Sequence, residues 1–370
     1  NSTRDGHFGV RLWPPTAPIL RRARLPPSKT KPAVRGSPSI RPEKADTVQQ
    51  DAIRLAPEPL PDNIPTIQPG SGVCYRIELA WGRWRRWYLK RFHGGYVRHM
   101  AALRRGECEG APWEIVDPRD LKFCCNRCDC FWETADDPFA WRDRLPFARW
   151  GLAELQLIGW PLLIVTVLLA CSYWCLAPVP AVFLAFLLWF FRDPPRRSPL
   201  EAGVLVSPAD GKIAEVTRLA HDDYLEGPAI RIGVFMSIFD VHLTRAPATT
   251  RVIGLRYAPG GFLNAMKPES ATKNESMWIG LEDELPPYDR MAMRQIAGAY
   301  ARRIVCALRP GQVVARGEKI GMIKLGSRTE LIVPDRPDLQ IEVNVGDRVL
   351  AGVSVLARRR PAGPQTSDSL

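Results

Sequence analysis

Histidine is scarce in this chain of 370 residues, which contains five. Only His221 and His242 follow residue 100, so chemistry in the C-terminal half that needs an imidazole base has two candidates. His221 is surrounded by polar residues, which is typical of a solvated loop. His242 follows an apolar run, with Asp240 two residues before it, and is the better candidate. A histidine at a strand end is most often structural, so this choice needs support from other motifs.

Acidic residues are too few to balance the basic ones. The chain has 39 Asp and Glu against 51 Lys and Arg, a formal charge of +12 and a pI near 9.5. Such an excess predicts an anionic partner, either a nucleic acid or an acidic membrane surface. Composition alone does not separate the two.

Formal charge is absent from Leu155 to Phe191, a run of 37 residues rich in Leu, Val, Ile, Phe and Trp. A bilayer span needs about 20 apolar residues. The run predicts a transmembrane hairpin within residues 151–195, with one span from Leu157 to Leu176 and a shorter return from Val179 to Phe191. Arginines flank both ends, which favours a location in the cell membrane with both ends on the cytoplasmic side. A single tilted span is the alternative.

Aromatic residues are few in residues 1–72, where prolines are interspersed with Arg and Lys. Such a stretch buries too little apolar surface to offset the entropy of ordering, which predicts a disordered Pro/Arg-rich extension. Its beginning lacks the apolar core of a signal peptide, so we expect no export.

Residues 73–150 are aromatic and basic instead. On a helix, Trp81, Trp84 and Tyr88 would share one face flanked by arginines. That pattern suits a bilayer interface, a nucleic-acid contact, or the core of a small domain beside solvated arginines. The sequence leaves all three interpretations open.

The same region is rich in cysteine. Six of the nine cysteines lie here, namely Cys74, Cys108, Cys124, Cys125, Cys128 and Cys130. Cys125 and Cys128 have the spacing of zinc ligands, and Cys108, His93 or His99 could complete a tetrahedral site. A zinc ribbon needs two separated pairs, whereas only one cluster is present, so we predict no metal site. The odd number of cysteines and the lack of an export signal make disulfides less attractive still.

From residue 196 onward, short apolar runs are separated by Gly and Pro, which predicts a mainly β domain. The predicted strands are Val204–Val206, Lys212–Val216, Ile230–Phe235, Arg251–Tyr257, Val313–Ile323, Thr329–Val333 and Gln340–Val345. Only Ala299–Leu308 has a helical pattern. A repeat places Gly317-Glu318 and Gly346-Asp347 at equivalent positions 29 residues apart. It predicts two similar hairpins in one β-sandwich.

Four short motifs follow one another in this domain. They are Ser207-Pro208-Ala209-Asp210-Gly211, then Phe239-Asp240-Val241-His242 with Arg245-Ala246-Pro247, then Tyr257-Ala258-Pro259-Gly260, and finally Leu325-Gly326-Ser327. In order and spacing they resemble the phosphatidylserine decarboxylases of the short bacterial type, which are self-processing and pyruvoyl-dependent, over about residues 155–357. The resemblance implies a β-sandwich of carrier-like hybrid type with a few short helices.

The resemblance also implies catalytic roles. Ser327 would attack the carbonyl of Gly326, with His242 as the base and Asp210 orienting the histidine, so that the chain cuts itself at this bond. The following elimination would leave a pyruvoyl group at the head of a 44-residue chain, and its ketone would be the cofactor. The long form of the family has a second histidine where this chain has Arg245. How His242 and Arg245 divide cleavage and turnover is therefore left open.

The implied reaction is decarboxylation of phosphatidylserine to phosphatidylethanolamine in an anionic membrane. The substrate-binding residues implied by the resemblance are Arg245, Asn264, Lys273, Asn274 and Glu275. We expect the large and small chains to stay associated after self-cleavage, expect no nucleic-acid partner, and leave a homodimer open.

Two other functions remain as alternatives. One is a non-catalytic, membrane-anchored β-sandwich scaffold, which would form no pyruvoyl group. The other is zinc or nucleic-acid binding through residues 73–150. Because the matched motifs all lie later, we expect removal of residues 1–140 to leave decarboxylation largely intact.

Overall fold

The computed structural model describes residues 54–263, 269–299, 303–324 and 327–360. Predictions for residues 1–53, for Asn264 and for Leu325-Gly326 therefore lie outside the described residues. The helices and strands are α1 (Val73–Phe92), α2 (Gly94–Leu103), α3 (Pro118–Cys124), α4 (Leu152–Ser172), α5 (Pro178–Phe190), β1 (Val204–Val206), β2 (Gly211–Asp222), β3 (Gly227–Met236), β4 (Leu243–Arg245), β5 (Thr250–Ala258), α6 (Ser270–Lys273), β6 (Ser276–Asp283), β7 (Arg290–Ala297), β8 (Arg303–Cys306), β9 (Val313–Val314), β10 (Lys319–Lys324), β11 (Ser327–Pro334), β12 (Leu339–Ile341), β13 (Arg348–Val349) and β14 (Val355–Arg359).

The part after residue 196 is mainly β, as predicted. One antiparallel sheet has eight strands in the order β13-β2-β3-β11-β7-β6-β5-β9, and two sheets have three strands each, β1-β14-β12 and β4-β10-β8. Apolar side chains from the middle of the large sheet are fully buried, among them Ile232, Val234, Met293 and Leu331. Burying a side chain of this size stabilises the fold by about 1.5–3 kcal/mol. Strand β11 lies in the interior of this sheet, between β3 and β7.

The repeat forms two equivalent turns. Gly317 and Gly346 have φ of 77° and 105°, in the left-handed region that favours glycine. Glu318 accepts a hydrogen bond from the amide of Ala315, and Asp347 accepts one from Asn344, each three residues earlier. The predicted hairpins are wrong, however, because β9 pairs with β5, β10 with β4 and β8, and β13 with β2.

The predicted helix Ala299–Leu308 is also wrong. Residues 303–306 form β8, which pairs with β10 from Arg303↔Lys324 to Cys306↔Gly321. Ile304, Val305 and Cys306 are buried, so packing in the sheet outweighs the helical preference of the preceding Ala and Arg residues. Strands β6 and β7 were not predicted, because Met, Ala, Arg, Gln and Glu give them little β-branched signal.

The uncharged run forms two helices that pack against each other. Arg149–Ser172 is the one helix among the described residues that is long and apolar enough to cross a membrane. Helix α5 is shorter, with 13 residues. Gly159 faces α5, where a Cβ placed on it would lie at ordinary van der Waals distance, 3.7 Å, from Leu184 and from Leu187.

Residues 54–72, predicted to be disordered, lie against the rest of the chain. Ile64 and Ile67 are buried. The amide of Ile67 donates to the carbonyl of Phe123 in α3, and its carbonyl accepts from Cys306 in β8. Further bonds join the segment to the rest of the chain, among them one from the amide of Glu58 to the carbonyl of Ile253. This packing argues against the expectation that residues 1–140 are dispensable.

Helix α1 confirms that Trp81, Trp84 and Tyr88 share one face. The Trp81 and Trp84 rings stack with centroids 4.7 Å apart, and those of Trp84 and Tyr88 are 5.5 Å apart. The face is exposed. Arg85 and Arg86 are buried instead, and both donate to Asp120 at the start of α3. Trp81, Trp84 and Tyr88 therefore do not form the core of a small domain, whereas Trp132 lies in a buried cluster of this region.

Candidate active site

Ser327 opens β11 directly after the predicted scissile bond. It pairs with Met236 of β3 on one side and with Ala297 of β7 on the other. The residue is fully buried, and its Oγ has no hydrogen-bond partner among the described residues. A buried hydroxyl without a partner costs about 1–3 kcal/mol, so it is typical of a functional position.

His242 is held at the same turn. Its carbonyl accepts a 3.1 Å hydrogen bond from the amide of Ile323, near the end of β10. The loop of residues 237–241 thus connects Met236, which pairs with Ser327, to His242, which is bonded to Ile323. The two ends of this loop therefore adjoin the start of β11 and the end of β10, so the backbones of the predicted nucleophile and base lie at neighbouring strand ends.

The surroundings of His242 keep it neutral. Its ring packs against Phe190 at the end of α5, with centroids 4.4 Å apart. Burial lowers the pKa of His242 to about 4, although the charge of Asp240 acts in the opposite direction. The side chain is therefore in its basic form at neutral pH.

A pH profile of self-cleavage follows from this shift. Because the pKa of His242 is about 4, the proportion of the basic form changes little between pH 8 and about pH 5 and falls below that. We expect the cleavage rate of freshly synthesised precursor to be flat over this range and to fall only near pH 4. A rate that halves near pH 6.5, the usual pKa of histidine, would show that a different or solvated imidazole is the base.

Asp210 has partners other than the predicted one. Its carboxylate accepts from Arg196 at 2.7 Å and from the amide of Ala351 at 2.7 Å. Burial raises the pKa of Asp210. The resemblance pairs Asp210 with His242, but the carboxylate whose charge acts on His242 is Asp240.

Arg245 is occupied by groups of the chain. It donates to the carbonyl of Gly317 at 2.9 Å and to Asp193 at 3.3 Å, and burial lowers its pKa. Asp193 also binds Lys319, at 2.8 Å. A substrate group that reached Arg245 would therefore compete with Asp193.

The other predicted substrate residues differ among themselves. Asn274 is buried, and its side-chain amide is bonded to the backbone. Its Nδ2 donates to the carbonyls of Leu263 and Ala297, and its Oδ1 accepts from the backbone amide of Leu263. It fixes the chain beside Ser327 rather than facing a ligand. Glu275 is buried near the Tyr257 hydroxyl, and burial raises its pKa. Lys273 is exposed and pairs with Glu269 at 3.3 Å.

Sequence reasoning missed two links between the hairpin and this site. Phe190 was interpreted only as part of an apolar span, but it contacts His242. Glu154 in the first turn of α4 binds Lys324, the last described residue before the cleavage turn. The position of Glu154 immediately before the uncharged run was the available signal, since an acidic residue next to a long apolar helix needs a partner.

The cysteines form no metal site in the described part of the chain. No three His, Cys, Asp or Glu side chains there are arranged to hold a metal ion. The sulfurs of Cys128 and Cys130 lie 3.7 Å apart. The zinc alternative therefore gains no support.

Comparison with known proteins gives one consistent result. The sequence profile of a family described as phosphatidylserine decarboxylase matches residues 183–357. A phosphatidylserine decarboxylase proenzyme from Rhodopirellula baltica is 46% identical over 239 residues, which are 64% of this chain and 98% of that protein. Proenzymes of the same name from Carboxydothermus hydrogenoformans and Desulfotalea psychrophila are 38% and 37% identical, covering 59% and 58% of this chain and 98% and 97% of their own lengths.

Proposed function

Because the chain belongs to the phosphatidylserine decarboxylase family, and is an enzyme that converts phosphatidylserine to phosphatidylethanolamine, we propose that it makes its pyruvoyl cofactor by cutting its own backbone between Gly326 and Ser327. The observation that carries this proposal is the Ser327 hydroxyl, which is buried and has no hydrogen-bond partner among the described residues. The loop that leads to His242 starts directly after Met236, the residue opposite Ser327. The relatives are named proenzymes, which supports self-processing.

The residues of the chain account for the cut. Neutral His242 takes the proton of the Ser327 hydroxyl, and Oγ attacks the Gly326 carbonyl carbon. The peptide nitrogen leaves as the amine of residue 327, so an ester replaces the amide. Loss of the Cα proton then expels the carboxylate of Gly326. The dehydrated residue takes up water and releases ammonia, which leaves the pyruvoyl group.

In turnover, the pyruvoyl ketone supplies an acceptor for the electrons released as carbon dioxide leaves. His242 holds or returns a proton at its ring nitrogen, and Phe190 shields that ring from water. We assign Arg245, Lys273 and Glu275 to the substrate side. Lys273 is the exposed cation of the three, so it suits the carboxylate or phosphate of the lipid.

We also propose that α4 and α5 form a hairpin in the cell membrane, with the domain from residue 196 on the cytoplasmic side. Phe190 at the end of α5 contacts His242, and Glu154 at the start of α4 binds Lys324, so both helix ends meet the site. A lipid headgroup at the surface of an anionic bilayer would then be beside the catalytic residues. The recurring turns at Gly317 and Gly346 support the carrier-like hybrid type of sandwich.

The large and small chains should remain associated after the cut. The small chain would begin with β11, whose residues pair on both sides, with β3 and with β7. Its removal would open an interior strand of the large sheet. A homodimer stays a prediction.

The alternatives make different predictions for one assay. Purified protein with phosphatidylserine in detergent micelles should release carbon dioxide and form phosphatidylethanolamine, whereas a scaffold or a nucleic-acid binding protein should do neither. The burial of Arg85 and Arg86 already weakens the nucleic-acid alternative, since these cations are bound to Asp120.

Membrane attachment should resist salt. We expect the protein to stay in the membrane pellet in about 1 M salt, which screens charges beyond about 3 Å, and to be released by detergent. The measurement is fractionation of membranes after each wash. Release by salt alone would contradict the hairpin and indicate attachment by the basic surface.

A further inference from the structure

Helix α1 exposes apolar rings and buries two of its cations. Trp81, Trp87 and Phe92 are 59%, 59% and 58% exposed, whereas Arg85 and Arg86 are each 8% exposed. Water favours the reverse arrangement. Tryptophans beside arginines are typical of the interface between a bilayer and water, so this face is expected to contact lipid.

A cavity of about 320 Å³ lies between α1, α3 and the start of α4. Five cations line it, namely Arg85, Arg119, Lys122, Arg142 and Arg149, and the only lining carboxylate among the described residues is Glu78. The cavity contains neither Ser327 nor His242 in its wall. It is therefore a separate site, and its volume is sufficient for a polar headgroup.

Four of the cations have carboxylate partners. Arg85 binds Asp120, Arg119 binds Asp117, Lys122 binds Glu78 and Arg149 binds Asp143. Because these partners neutralise them, they do not by themselves call for an anion.

Arg142 differs from the other four. No carboxylate lies within 4 Å of it in the described part of the chain, and its guanidinium lies over the rings of Phe139 and Trp141 at 5.0 and 5.7 Å. Burial lowers its pKa, and the positive charges of Arg119 and Arg149 lower it further. A half-buried cation facing other cations is costly, and a bound anion would remove that cost.

The position of the cavity identifies the anion. Leu152, Ala153, Gln156 and Leu157 of α4 form one wall, and the charge-free part of the helix begins at Leu155. If α4 enters the bilayer there, the cavity lies at the depth of the lipid headgroups. Trp81 and Leu157 continue its wall as apolar surface, as the first carbons of an acyl chain require.

We propose that this cavity binds the phosphate headgroup of an anionic phospholipid of the surrounding bilayer, with Arg142 as its main charge partner. This inference rests on the membrane insertion of α4 in the proposed function. The lipid bound here is not the one that is decarboxylated. It anchors α1 and α3 against the hairpin beside Lys324 and the cleavage turn.

The test is native mass spectrometry of the full chain in detergent micelles with added phosphatidylglycerol, an anionic lipid without the serine carboxylate. We expect one tightly held phosphatidylglycerol. Arg142→Gln should weaken its retention by at least about tenfold, because a charge-assisted contact is lost. Retention by Arg142→Lys should lie between that of the wild type and that of Arg142→Gln. The lysine variant replaces the glutamine variant in the test if the latter does not fold. Arg98→Gln is the matched control, because Arg98 is exposed on α2 and its loss changes the net charge equally.

Three results would overturn the inference: equal retention in Arg142→Gln and Arg98→Gln, equal binding of phosphatidylcholine, or displacement by millimolar glycerol phosphate, which would indicate a soluble phosphate ligand. Failure of the membrane hairpin is distinguishable from these, since it appears as release of wild-type protein by salt. A wild-type chain that stays in the membrane and yet shows no preference for phosphatidylglycerol contradicts only the cavity site.

Discussion

Alanine at position 327 is expected to leave the chain uncut, folded and inactive. Oγ of Ser327 is the atom that attacks, so without it no ester, no elimination and no pyruvoyl group can form. The loss of decarboxylation should be at least about 10⁴-fold, as for other catalytic nucleophiles. Because this buried hydroxyl has no partner among the described residues and costs about 1–3 kcal/mol, its removal should not destabilise the fold and should raise the free energy of unfolding by up to about that amount. A denaturing gel and release of carbon dioxide from phosphatidylserine measure both effects.

Thr329→Val is the matched control for this variant. Thr329 lies two residues further along β11 on the same face, is fully buried, and its hydroxyl also has no partner in the described part of the chain. The valine variant should cleave normally. Ser327→Cys should cleave slowly through a thioester. Arg328 is a poor control, because it is buried and pairs with Glu215 and Glu330. Cleavage of Ser327→Ala at the same bond would assign the nucleophile elsewhere.

Replacing His242 should stop both maturation and turnover, because the same imidazole transfers the proton in self-cleavage and in decarboxylation. General bases contribute about 10²–10⁴-fold, and losses in two successive steps should leave no measurable product. His242→Gln is preferable to alanine, since it fills most of the space against Phe190. The measurements are the fraction of cut chain after synthesis and the rate of phosphatidylethanolamine formation.

His221→Ala provides the comparison for that result. His221 is exposed and is the only other histidine after residue 100, so its loss should change neither step. Arg245→Ala should still cleave, because Asp193 keeps Lys319 as a partner and is not left unpaired. Its rate of decarboxylation should fall, because Arg245 is assigned to the substrate side. Normal cleavage in His242→Gln would mean that another group, such as Asp240, is the base.

The sequence was sufficient for the mainly β class and for placing the His242 and Ser327 motifs at neighbouring strand ends. Short apolar runs bounded by Gly and Pro located β2, β3, β5 and β11. Strand β2 alternates buried and exposed residues at its start, whereas β11 is buried on both faces. The Gly-acidic repeat located two turns, since glycine and a carboxylate three residues from an amide are local requirements. The resemblance, carried by the order and spacing of the motifs, also pointed to His242 and Ser327, whose backbones adjoin the ends of β10 and β11.

Contacts between distant parts of the chain could not be predicted from local sequence patterns. Arg303–Cys306 forms a strand because it pairs with β10. Residues 54–72 pack against the chain through contacts such as the backbone bonds of Ile67 to α3 and β8. The ion pair of Asp210 with Arg196 depends on how the segment after α5 folds back. The burial of Arg85 and Arg86 likewise depends on Asp120, which lies more than 30 residues away.

The central claim is the backbone cut itself, and the mass of the purified, denatured wild-type protein tests it most directly. Two fragments are predicted, a large one ending at Gly326 and a small one beginning at position 327. The small fragment should resist Edman sequencing and gain mass with hydroxylamine, because a ketone has replaced its amine. A single uncut chain of 370 residues that still released carbon dioxide from phosphatidylserine would contradict the account.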